Sequence, residues 1–292
     1  MVATAGLLMV LPAGVTRLAS SDVAAAAAGI HGTVRVLSVR GPSDRQRHAI
    51  WVWRPPGPDS ATIPVLYFLH GDPGKARDAF SHGLARALDQ WLREGNPPFV
   101  VACPDGNGEH HEDSEWADSA DGSDLVESRV LDAVTPAVEG THIRDAAHRA
   151  IAGFSMGGYG AVNIAFRHPG MFGQVVSIAG YFHVDDPSGM FGGLPAAIAA
   201  NSPMEHLQAA GGIRVLLDED ASDRLSLIRG QAEAFGRLLV SAHVQVTVNI
   251  QPGEHGWAYA MGALESSAGF LSDGWRQAAA NVRPARLLTA LT

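Results

Sequence analysis

Ala150-Ile151-Ala152-Gly153-Phe154-Ser155-Met156-Gly157-Gly158-Tyr159-Gly160-Ala161 is an apolar run that turns abruptly glycine-rich, with a serine at the junction. Ala150 to Phe154 reads as a buried strand, and Met156 to Arg167 as a helix stopped by Pro169-Gly170. Residues 153–157 fit G-x-S-x-G at a strand-to-helix turn. A serine that acts as a nucleophile must project from a very tight turn, where flanking side chains would clash. The following helix aims its unpaired N–H groups at negative charge developing beside the serine. In a chain with 33 glycines the bare pattern is weak, and a packing turn is the plain alternative. The strand before it and the helix after it give it weight.

Outward from this turn, strands and helices alternate. Thr33 to Val39 has the two-residue period of a half-buried strand, and Ala49 to Trp53 is a second strand. Ile63 to Leu69, Phe99 to Cys103, Gln174 to Ala179 and Ile213 to Leu217 are apolar runs suited to strands covered on both faces. Val244 to Ile250 alternates again. Helical spacing marks Asp78 to Arg93 and Leu225 to Val240. Ser123 is placed to cap a helix from Asp124 to about Val138, and a last helix starts near Trp257 or Ala258. The pattern predicts an α/β fold: a central, mainly parallel sheet with helices on both faces. Ligands then sit beyond the carboxyl ends of the strands. Residues 32–292 are expected to form a single domain, with a small lid around 181–212.

Bulk properties narrow the class. The 292 residues are 46% hydrophobic and 17% charged, which suits a buried core. A net charge of −9 without any basic run speaks against nucleic acid as a partner. The single cysteine, Cys103, closes an apolar run and reads as a core residue. Residues 1–31 form an N-terminal extension. Its apolar run from Ala5 to Val15 is too short to span a membrane, so no stable insertion is expected. The run, followed by small residues at Ala19 to Ser21, is signal-like, although no Lys or Arg precedes it. Export is slightly favoured over the cytoplasm.

A G-x-S-x-G turn in this setting belongs to the α/β-hydrolase fold, where the triad runs Ser, then Asp or Glu, then His. The base must follow Ser155. His168 and His183 come too early, His206 lies in the lid segment and His243 opens a strand. That leaves His255, in the loop after the last strand. The acid follows the strand ending at Leu217, where Asp218, Glu219, Asp220 and Asp223 compete; spacing alone leaves them unranked. His70-Gly71-Asp72 follows the third strand. The backbone N–H groups of Asp72 and Met156 are therefore the expected oxyanion hole.

Taken together, these residues resemble the esterase D / antigen 85-like branch of the α/β-hydrolases, from about Thr33 to the last helix. The resemblance rests on residues 153–161, His168-Pro169-Gly170-Met171-Phe172-Gly173, His70-Gly71 and Pro104-Asp105-Gly106. In that family the acid commonly lies in a Gly-x-x-Asp stretch. Here Asp220 replaces the glycine and Asp223 fills the Asp slot, which raises Asp223 above its neighbours. His255-Gly256-Trp257-Ala258-Tyr259 is similar to the His-x-Trp-x-Tyr stretch of the mycolyltransferase branch, so Trp257, with His70, is expected to contact substrate.

The resemblance implies a serine esterase that acts on small-molecule esters through an acyl-enzyme. An acyltransferase with the same triad, a serine peptidase and a non-catalytic binder are the rival readings. Glu109-His110-His111-Glu112-Asp113 has metal-ligand residue types, but adjacent side chains seldom converge on one ion, so it reads as a solvated acidic loop. Glu115-Trp116 is expected to border the mouth of the site. No phosphate loop or dinucleotide fingerprint is present, and neither metal nor cofactor is implied.

Overall fold

Apolar runs without polar alternation need cover on both faces, and they take the centre of the sheet. In the computed structural model, which describes residues 29–186 and 188–289 (side chains to residue 280), the elements in chain order begin with β1 (Thr33–Val39), β2 (His48–Arg54) and β3 (Val65–Leu69). Helices α1 (Asp78–Ser81) and α2 (Leu84–Arg93) follow, then β4 (Val100–Pro104). Three helical pieces, Val126–Arg129, Val130–Val134 and Thr135–Glu139, run together as α3. Next come β5 (Arg149–Phe154), α4 (Met156–Arg167), β6 (Gln174–Ile178) and α5 (Pro195–Ala200). The chain continues through β7 (Arg214–Asp220), α6 (Gln231–Ser241) and β8 (Gln245–Gln251) to the long α7 (Trp257–Thr289). The signal-like run expected in the N-terminal extension lies outside the described residues.

The eight strands form one sheet in the order β1-β2-β4-β3-β5-β6-β7-β8. The pairs β1–β2 and β2–β4 are antiparallel, and all the others are parallel. Leu66 of β3 stands between Val101 of β4 and Ala150 of β5. Alternation along β3 separates two cores. Val65, Tyr67 and Leu69 pack with Val130, Ala161, Val162 and Phe235 of α3, α4 and α6. Leu66 and Phe68 pack with Leu84, Leu88, Ala260, Leu264 and Leu271 of α2 and α7. Cys103 is buried in the second core, and burial pushes its thiol pKa up.

Element ends depart from the sequence expectations for identifiable reasons. Gly83, in the left-handed region at φ 102°, divides the expected Asp78–Arg93 helix. Gly230, at φ 80°, likewise delays α6 to Gln231. Ser123 does not cap α3; its hydroxyl donates to Asp121, and the helix starts at Val126. Pro136 has no N–H to offer the carbonyl of Asp132, which accounts for the wide turn before it. The Thr135 hydroxyl donates instead to the Val130 carbonyl at 3.0 Å.

The 181–212 segment, expected as a lid, is fastened to the body. The Tyr159 hydroxyl donates to the Asn201 carbonyl at 2.7 Å, and Phe182 stacks on Phe235 at 4.1 Å. Phe235 is fully buried and also lies 6.1 Å from Phe166. Phe235→Ala is expected to destabilise the fold by about 3–5 kcal/mol in urea unfolding. A loss below ~1 kcal/mol would mean that the segment does not pack there.

Candidate active site

Ser155 sits at the junction of β5 and α4 with φ 57° and ψ −121°. Such a conformation costs a non-glycine residue about 1–3 kcal/mol and persists only where its surroundings enforce it. They do so here by close approach. A Cβ on Gly157 would lie 2.2 Å from the Leu69 carbonyl oxygen, and one on Gly153 would lie 2.1 Å from that of Gly157. Only glycines let β3, β5 and α4 meet at this point. The Ser155 N–H donates to the Ile178 carbonyl at 2.9 Å, tying the turn to β6.

His255 lies in the loop between β8 and α7. Its Nε2 is 3.1 Å from Ser155 Oγ, and its Nδ1 is 2.8 Å from Asp223 Oδ2. An ionised carboxylate only accepts, so Nδ1 carries the hydrogen and Nε2 is left to take the serine proton. The Asp223 side chain is fully buried, and its other oxygen accepts the Leu225 N–H at 2.9 Å.

The rival carboxylates are engaged elsewhere, because β7 runs three residues past Leu217, to Asp220. Asp218 accepts Gln251 Nε2 and the Tyr259 hydroxyl. Glu219 caps α6 by accepting the N–H groups of Gly230 and Ala232. Asp220 accepts the N–H and hydroxyl of Ser222.

Met156 opens α4, so its N–H has no acceptor one turn back within the helix. Gly71 lies against Ser155, since a Cβ there would stand 3.0 Å from Ser155 Cβ; Asp72, next in the chain, is exposed. His70 corrects the expectation of a substrate contact. It is 3% exposed and both ring nitrogens are bound to backbone. The Gly106 N–H donates to Nε2 at 3.0 Å, which fixes the hydrogen on Nδ1, and Nδ1 donates to the Gly71 carbonyl at 2.9 Å. Trp116 Nε1 donates to the His70 carbonyl at 3.0 Å.

Aromatic rings back the histidine. Phe154 lies 4.7 Å from His255 and 5.7 Å from Trp257, and Trp257 stacks on His82 at 5.0 Å. Trp257 is therefore part of a packed wall behind the base. A cavity of about 630 Å³ between α2 and α7 is lined by His82, Trp91 and Leu264 but by none of Ser155, Asp223 or His255.

Glu115 and Trp116 are buried, both at φ 50°. Trp116 packs against Gly160 of α4 and against the His70 ring at 4.9 Å. Glu115 accepts the Tyr181 hydroxyl, a pairing that no local sequence signal announces. Burial, with the field of Asp113 added, pushes Glu115 up to about 8. Burial also raises Asp72 and Asp113.

The raised pKa of Glu115 has a definite sign. Below its ordinary value of 4.5 the folded and unfolded chains both hold the proton. Between 4.5 and about 8 only the unfolded chain releases it, so stability falls as pH rises through that window. Glu115→Gln cannot ionise. Its melting temperature is expected to pull ahead of wild type as pH rises from 5 to 8, with the gap smallest at the acid end. A gap independent of pH would mean that Glu115 is ionised in the folded chain.

Comparison with known proteins identifies the family and the fold. Residues 44–258 match the family model described as "Putative esterase". Among solved structures, a ferulic acid esterase superposes with a TM-score of 0.73 at 22% identity, covering 84% of this chain and 100% of that one. An S-formylglutathione hydrolase from Agrobacterium tumefaciens gives 0.71 at 19%, covering 84% and 96%. MPT51 from Mycobacterium tuberculosis gives 0.64 at 18%, covering 83% and 98%. At these identities the structural likeness establishes the α/β-hydrolase fold, and the family match across most of the sequence establishes kinship: the chain belongs to this esterase family.

Proposed function

We propose that the chain hydrolyses small-molecule carboxylic esters with Ser155 as nucleophile, His255 as general base and acid, and Asp223 as the carboxylate that orients His255. The observation that carries this reading is the unbroken relay from Asp223 through His255 to Ser155, at 2.8 and 3.1 Å. His255 Nε2 takes the hydroxyl proton as Ser155 Oγ bonds to the ester carbonyl carbon, and Asp223 stabilises the imidazolium that forms. The carbonyl oxygen becomes an oxyanion between the N–H groups of Asp72 and Met156. As the tetrahedral adduct collapses, the carbon–oxygen bond to the alcohol breaks and His255 protonates the departing oxygen. Water, deprotonated by the same nitrogen, then releases the acid and restores Ser155. The Asp72 carboxylate at the oxyanion loop favours acyl groups without negative charge, and neutral p-nitrophenyl esters are the natural probes.

His70 is a positioning residue in this scheme. A trans peptide points its C=O and N–H in opposite directions. By holding the Gly71 carbonyl, His70 turns the Asp72 N–H away from itself and toward the reacting oxygen.

Ser155→Ala is expected to abolish both p-nitrophenyl acetate hydrolysis and fluorophosphonate labelling. Asp223→Asn should lower kcat about 10⁴-fold by allowing the wrong tautomer, and Asp220→Asn far less. Hydrolysis retained in Ser155→Ala would remove the serine mechanism.

His70→Ala should lower kcat by about 10²-fold, the usual loss for one oxyanion donor, with KM little changed. His70→Asn, whose amide can replace Nδ1–H, should recover part of it. A rise in KM at unchanged kcat would return His70 to the role of a substrate contact.

A further inference from the structure

We propose that Asp44, His48 and Glu109 form a site for a divalent cation of the zinc class, separate from the esterase centre. The three residues come from different places. Asp44 lies in the turn between β1 and β2, His48 opens β2, and Glu109 lies in the loop after β4. Antiparallel pairing of Ile50 with Pro104 sets the start of β2 beside the end of β4 and brings them together. One donor atom from each lies within 4.8 Å of the others.

The arrangement points to a cation. The His48 side chain is 9% exposed, and its Nε2 meets no hydrogen-bond partner among the described residues. That nitrogen faces two acceptors, Asp44 Oδ1 at 3.8 Å and Glu109 Oε1 at 3.5 Å. Both separations exceed a hydrogen bond, and an imidazolium would close on one carboxylate to about 2.7–2.9 Å. They approach the ligand-to-ligand edge, about 3.4 Å, of a tetrahedron built on zinc–nitrogen and zinc–oxygen bonds of about 2.0–2.2 Å.

The donors are also held from behind. Asp44 accepts Arg129 Nε and Nη2, both at 2.8 Å, and the Gly41 N–H at 2.6 Å. Glu109 accepts the N–H groups of Arg45 and Gln46. Asp105 Oδ2 lies 3.7 Å from His48 Nδ1, too far for a hydrogen bond but on the ring nitrogen that an outer carboxylate would hold once a metal took Nε2. Of the three carboxylates around His48, those of Asp44, Glu109 and Asp105, Arg129 pairs only with that of Asp44, which leaves the other two negative charges for a dication to balance. One imidazole nitrogen with two carboxylate oxygens suits zinc better than calcium or magnesium, which take six or more oxygens.

A cation here would clip the β1–β2 turn to the loop after β4. That loop contains Gly106, whose N–H holds His70. Neither the site nor its test depends on the esterase reading.

The test is titration of the chelator-stripped full chain with ZnCl₂ by calorimetry, with Co²⁺ absorption to report tetrahedral coordination and thermal unfolding to report stabilisation. A single zinc per chain and a higher melting temperature are expected. His48→Gln and Glu109→Gln should each weaken binding by more than tenfold, and Asp105→Asn by about 10–100-fold. His110→Gln, at an exposed neighbour, should leave it unchanged. Wild-type chain without stoichiometric binding overturns the proposal without recourse to any variant. So does zinc held equally well by His48→Gln and Glu109→Gln, which would put the ion on other surface histidines. A His48 ring that titrates by NMR as a cation unaffected by zinc would make the cluster an ion pair instead.

Discussion

The functional geometry depends on one steric constraint, the close approach of β3, β5 and α4 around Ser155. The carbonyl of Leu69 closes over Gly157, and the carbonyl of Gly157 closes over Gly153, at distances that exclude any side chain. This contact forces the turn at Ser155, projects its hydroxyl from the sheet and starts α4 directly behind it. It also fixes where β3 ends. The loop after β3 therefore leaves the sheet beside the nucleophile, and a backbone donor can come from there with little freedom to drift. Strain at one residue is balanced by packing among three elements, which is the preorganisation that the proposed oxyanion hole requires.

A second layer holds that loop. His70 has two ring nitrogens and two backbone partners, one a donor and one an acceptor, and this pairing admits a single tautomer. The Trp116 indole secures the His70 carbonyl, and Ser114 Oγ donates to the Gly106 carbonyl. The loops after β3 and β4 thus form one hydrogen-bonded unit beside Ser155. Asp124 adds to it by accepting the N–H groups of Glu109, His110 and His111. The acidic stretch that reads as solvated in the sequence is a loop wound around a buried carboxylate. Asp124 lies 15 residues from the Glu109 N–H that it binds, too far for a local pattern to reveal.

What could be read from the sequence follows from the range of each interaction. The Ser155 turn was legible because its requirements are local: two glycines within two residues of a serine, a strand before and a helix after. His255 was legible by chain order and position. The acid was not legible by spacing, because β7 continues through three of its four candidates and only the fold shows what each carboxylate touches. Asp223 stood out only through a family resemblance, and it is the one that meets His255. Helix boundaries depart from periodicity at Gly83 and Gly230, where a single residue's backbone overrides the side-chain pattern. His70 is buried rather than at the mouth, a difference that the sequence around it does not encode. The Glu115–Tyr181 contact joins residues 66 apart and left no local trace.

The buried ionic groups fall into two kinds with different consequences. Arg129 and Asp44 make a bidentate pair with almost no exposure, and Arg149 pairs with Glu139 at the start of the central strand β5. Replacing such pairs by apolar residues often leaves stability unchanged or higher, so their main effect is to specify which loop meets which strand. Glu115 is of the other kind. It has no cation partner among the described residues, its nearest charged neighbours are carboxylates, and burial keeps it protonated well past the ordinary carboxyl range. A glutamine would avoid the pH-dependent penalty, yet the position is acidic, strained and next to Trp116, which holds the loop after β3. A neutral carboxyl group in that place accepts the Tyr181 hydroxyl without burying a charge. Strain and an unfavourable ionisation persist together here, on a loop whose Trp116 packs against Gly160 of α4, because the surrounding packing enforces both.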